Sequence, residues 1–181
     1  MTPRLSTDVT RLFWPLTILL VLLAIAPATI ASAADQAALK ERLLLQTEPA
    51  GAQTPTAAKA GLSTTPQAVV IAGRIDAKGM DPFVKGKASF AMLQLPDDHA
   101  KKPGHNSDDC PFCKKRLAKA PLVAVQFVDE DGKEIPHDAR ELFGVAKGQE
   151  VVVKGMATFN PKLALPIIQL QADGIYIRQH D

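Results

Sequence analysis

From Ala68 onward, apolar and polar residues alternate with the two-residue period of a half-buried strand. AVVIAGRIDA (68–77) predicts a first strand with Val69, Ile71, Gly73 and Ile75 on one face. A glycine inside such a run marks a sharp bend or a close backbone approach. ASFAMLQL (88–95), PLVAVQFVD (121–129) and EVVVKGMATF (150–159) predict three more strands. ALPIIQLQADGIYIRQ (164–179) predicts a fifth, interrupted at Asp173-Gly174. Asp131-Gly132 is a strong turn signal after the third strand. Between the third and fourth, DARELFGV predicts one short helix. Asp138 and Glu141 have the spacing of a capping box, and Gly144 stands where a helix C-terminal glycine belongs.

The order is strand, strand, strand, short helix, strand, strand, with a V-x-I-x-G-x-I opening and VVVKG in the fourth strand. That order resembles an OB-fold over residues 68–179. The resemblance implies a mainly β chain: a five-stranded OB-like Greek-key barrel with one short helix between strands 3 and 4. It implies no particular activity, because the fold carries many unrelated ones. The sequence departs from the pattern at residues 96–120, a long insertion between strands 2 and 3.

The segment before the strands has a different composition. Arg4 and Arg11 precede an apolar run, LFWPLTILLVLLAIA (12–26), which Pro27 breaks before the small residues Ala31, Ser32 and Ala33. These are the parts of a Sec-type signal peptide over residues 1–33, so the protein is expected to be exported, periplasmic or secreted, with no stable membrane span after cleavage. The alternative is a membrane anchor, since 12–30 comes close to spanning length. Residues 34–67 predict a short amphipathic helix, with Leu39, Leu43 and Leu44 on one side, and then a flexible linker. TEPAGAQTPTAAKAGLSTTPQ (47–67) has no apolar periodicity and little to bury.

The insertion carries the candidate chemistry. HAKKPGHNSDDCPFC (99–113) holds both cysteines of the chain and two of its four histidines, spaced H-x5-H-x4-C-x2-C. Thiolates of a C-x2-C pair converge on one metal, and zinc takes four tetrahedral sulfur and nitrogen ligands. His99, His105, Cys110 and Cys113 are therefore the candidate ligands, with Asp108 and Asp109 as substitutes. Zinc is the expected metal, and iron and copper compete for the same ligand types. In an oxidising compartment, Cys110 and Cys113 also suit a redox dithiol or a disulfide. CPFCKK is similar to the active-site stretch of glutaredoxins, which implies Cys110 as a nucleophile, but the likeness covers six residues and is read as local convergence.

The 21 basic and 19 acidic side chains nearly cancel, leaving a formal charge of +2. This balance gives no general pull toward nucleic acid or anionic lipid. Lys114, Lys115, Arg116 and Lys119 read as a solvated helix face, and Phe90 and Phe127 sit among apolar neighbours as core residues. No G-x-S-x-G, H-E-x-x-H, C-x-x-C-H or phosphate-loop motif is present. The leading reading is an exported binding module with a metal in its Cys/His loop and an unknown protein or small ligand as partner, and whether it is an enzyme is left open. The alternatives are a thiol-disulfide oxidoreductase using Cys110 and Cys113, and a protein- or polysaccharide-binding domain stapled by a disulfide.

Overall fold

The computed structural model describes residues 28–95 and 110–179. The chain divides into two units, Met1–Ala34 and Asp35–Asp181. Of the first, the described residues 28–34 are helical, in α1 (Ala28–Leu43). No helix among the described residues is long and apolar enough to cross a membrane.

The second unit is mainly β. Its five strands are β1 (Gln67–Ile75), β2 (Ser89–Leu93), β3 (Val123–Phe127), β4 (Glu150–Phe159) and β5 (Ile168–Ile177). They close on themselves in the order β1-β2-β3-β5-β4. All neighbours are antiparallel except β3 and β5, which run parallel from Val123 opposite Ile168 to Phe127 opposite Ala172. The period-two pattern explains the interior. Ile71, Ile75, Phe90, Met92, Val123, Val125, Phe127, Val151, Val153, Ile168, Leu170 and Ile175 are all buried there. Closure pairs most of the strand edges through which β proteins aggregate, except on β1 before Arg74.

Two close approaches depend on glycine. At Gly73, an added Cβ would lie 2.7 Å from the Leu93 carbonyl oxygen, where β1 crosses to β2. At Gly155, it would overlap the Gln171 carbonyl oxygen and lie 2.8 Å from Ala172 Cα. The register slips at this point, so that Lys154 pairs with Gly174 and Gly155 with Ala172, leaving Asp173 as the extra residue. The expected interruption at Asp173-Gly174 is thus a bulge inside one continuous strand. Gly155→Ala is expected to cost about 2–3 kcal/mol, because backbone rather than a flexible side chain must yield. The midpoint of chemical denaturation measures it, and a wild-type midpoint would refute the close approach.

Between β3 and β4 lies α4 (Ala139–Phe143), which buries Ala139, Leu142 and Phe143. Asp138 is its N-cap, and Gly144 closes it in the left-handed conformation with φ 73°. The cap differs from the expected capping box: the Asp138 carboxylate accepts from the Arg140 backbone N–H at 3.0 Å and from its guanidinium at 2.7 and 2.8 Å. Those hydrogen bonds, the Arg140 guanidinium first, hold the Asp138 carboxyl well below the usual carboxylate range. A depressed folded-state pKa stabilises the protein above the unfolded value, and the contribution is lost as pH falls through the folded value. Asn caps a helix as well as Asp, so Asp138→Asn is expected to cost about 1 kcal/mol near neutrality through the lost ion pair with Arg140. The gap from wild type should close as pH drops below about 3.9. Denaturation curves at several pH values decide it; a gap that persists in acid would sink the assignment.

Within residues 47–67, expected as a flexible linker, several residues contact the barrel. Only Arg74–Leu93 and Ile75–Met92 pair β1 with β2, which leaves the free edge of β1 before Arg74 without a strand neighbour. Gln53 covers that edge, donating to Val70 O and accepting from Ala72 N–H, both at 2.9 Å. Helix α2 (Pro55–Gly61), capped by Thr54, buries Pro55 and Ala58 beside it. Lys59 lies 4.8 Å from the Phe159 ring centroid, and Glu48 receives the Arg178 guanidinium at 2.6 Å. This segment meets the barrel through small residues and polar anchors rather than an apolar stripe. Before it, α1 contributes buried Leu43 and partly buried Leu39.

Candidate functional site

The described part of the insertion contains a helix, α3 (Pro111–Lys119). Its start is written in the sequence. Proline is favoured at the first helical position, where its missing N–H costs nothing. That places Cys110 at the cap, where its carbonyl accepts from Lys114 N–H at 3.0 Å. Cys113 follows within the first turn, and its backbone N–H points at Cys110 Sγ at 3.5 Å. The two sulfurs are thereby brought together, and both cysteines are half-buried thiols not joined as a disulfide.

The two thiols are made unequal by this geometry. The hydrogen bond from the Cys113 backbone, then that from the Cys113 thiol, lowers the Cys110 pKa. The same thiol contact raises that of Cys113, with desolvation second and the neighbouring sulfur's charge third. A helix N-terminus adds a positive partial charge on the same side. Cys110 is the more readily ionised sulfur, and thiolate is the form that binds metals or attacks disulfides.

His99 and His105 lie outside the described residues, as do Asp108 and Asp109. Among the described residues no group of three or more His, Cys, Asp or Glu could hold a metal. Cys110 and Cys113 fit half of a tetrahedral thiolate site: two sulfurs one turn apart, one already accepting an N–H. Lys114, Lys115, Arg116 and Lys119 are exposed on α3, as the solvated-face reading implies.

Two anchors near the insertion were not anticipated. Thr56 Oγ1 donates to Gln94 Oε1 at 2.6 Å, just after β2. Lys78 Nζ donates to Ala118 O at 2.8 Å and Ala120 O at 3.2 Å. Nothing in the sequence announces that Lys78 has a partner 40 residues away. A groove of about 420 Å³ crosses the outer face of β2, β3, β5 and β4. Ser89, Gln126, Thr158, Gln169 and Gln171 line it with no aromatic ring among the described residues.

No protein-family model matches the chain. No curated protein matches it either. Among solved structures, it is similar to a protein assigned as an aspartyl-tRNA synthetase of Leishmania major Friedlin, with a TM-score of 0.44 and 11% identity over 84% of this chain. It is also similar to the aspartyl-tRNA synthetase of Entamoeba histolytica, with a TM-score of 0.36 and 10% identity over 77% of this chain. The chain spans 26% of the length of each.

Proposed function

We propose that the protein is an exported OB-fold binding module that holds one zinc ion in its inserted segment, through Cys110, Cys113, His105 and His99. The observation that carries the reading is the Cys110–Cys113 pair itself, two sulfurs on the first turn of α3 with one thiol biased toward thiolate. The closed β1-β2-β3-β5-β4 order, with parallel β3 and β5 and α4 between β3 and β4, supports the OB assignment. The charged, apolar and small-residue regions of 1–33 support export. Nucleic acid is not the proposed partner: Phe90 and Phe127 are buried, and no described residue lining the outer groove offers an aromatic face on which bases stack.

The opposite shifts of the two thiols favour one second reading, a thiol-disulfide oxidoreductase in which Cys110 attacks and Cys113 resolves. Elemental analysis of protein purified without an affinity tag, beside a thiol count before and after chelator, separates the two. About one zinc per chain, with thiols released by chelator, is the expected result. A metal-free chain with a quantitative Cys110–Cys113 disulfide would overturn the zinc reading, and a coloured, iron-containing sample would overturn the choice of metal.

A further inference from the structure

Helix α3 has nine residues, and none of its described side chains is buried. Isolated helices of that length are marginal in water, so tertiary contacts must hold this one. One such contact comes from the turn between β1 and β2. Lys78 is there, the one non-glycine residue with positive φ, +54°, among the described residues. Asp76 Oδ1 accepts its backbone N–H at 2.7 Å, and Met80 N–H closes the turn on Ala77 O at 3.2 Å. A lysine persists in the left-handed region only where its surroundings over-determine it. Here the turn aims the ammonium at the Ala118 and Ala120 carbonyls, at and just past the end of α3. Those are among the carbonyls a helix leaves without partners, and they form the negative end of its dipole. The opposite end of the same helix carries both sulfurs.

We propose that Lys78 is a positioning residue for the Cys110–Cys113 pair, holding α3 in register with the barrel so that the two sulfurs keep one arrangement. This rests on the reading of Cys110 and Cys113 as metal ligands. Residues that orient ligands without touching the metal change affinity by about 10–100-fold when removed. The test compares Lys78→Met, Lys78→Gly and Lys78→Arg in the full protein. It uses amide hydrogen exchange in α3 and β4, and zinc affinity by competition with a chromophoric chelator.

Lys78→Met should speed exchange of the α3 amides about tenfold, leave β4 unchanged and weaken zinc binding about tenfold. Lys78→Gly relieves the backbone but also lacks the ammonium, so it should show the same losses. Lys78→Arg retains a cationic donor and should stay near wild type. Wild-type α3 exchange in Lys78→Met, equal acceleration in α3 and β4, or no rescue by arginine would each overturn the proposal. If the wild type binds no zinc, the metal reading falls, and the exchange comparison still decides the role of Lys78.

Discussion

Replacing both Cys110 and Cys113 by serine is expected to abolish zinc binding outright, the largest functional change any pair of substitutions should produce. A serine hydroxyl is not ionised near neutral pH and is a poor ligand for a borderline-soft ion, so two of the four proposed ligands disappear together. Each single variant should also bind far more weakly. Cys110→Ser should be the more damaging, because Cys110 is the sulfur whose ionisation the Cys113 N–H supports. His105→Ala and His99→Ala should each lower affinity without emptying the site. All ligands must be deprotonated, so wild-type affinity should fall as pH drops through the imidazole range near about 6.5. The barrel should remain folded throughout, since Cys110 and Cys113 are not part of its buried core. Isothermal titration of zinc into the metal-free proteins measures the series. A double variant that retains wild-type affinity would remove Cys110 and Cys113 from the site.

The barrel strands were legible because each buries one face, and a period of two is then forced on the sequence. The bounds of β4 were read to the residue, since Val151, Val153, Ala157 and Phe159 are all buried on that alternation. Long-range features were not legible. Residues 47–67 look like linker because Pro55 and Ala58 are too small and too few to set a period, yet they cover a gap that appears only once β1 diverges from β2. The bulge at Asp173 imitates a strand break, because Asp-Gly is a turn signal whether or not the chain turns. In the insertion, Cys110 and Cys113 were visible as a pair. The helix that presents them begins earlier than the basic run suggests, since Pro111 starts it, and its barrel anchor at Lys78 depends on a contact across 40 residues.

The largest stability effect is expected from Phe127→Ala. Phe127 is fully buried and lies at the centre of a row of rings: 4.6 Å from the centroid of Phe143 on α4 and 6.1 Å from Phe90, which is in turn 6.3 Å from Phe83. Its backbone cannot move to fill the void, because its N–H donates to Ala88 O at 2.9 Å and its carbonyl accepts from Ile135 N–H at 3.1 Å. Truncation removes the ring's apolar burial and leaves a cavity between β3 and α4, at a cost of about 3–5 kcal/mol. For a domain of this size, that corresponds to a melting temperature lower by about 10 °C. Phe127→Leu, which keeps most of the volume, should cost well under half as much. Zinc stoichiometry at low temperature should be unchanged, because the ring touches the core and not α3. Thermal and denaturant unfolding measure the cost. A loss below about 1 kcal/mol for Phe127→Ala would mean that the core relaxes around the site, so that the aromatic row does not join α4 to the barrel.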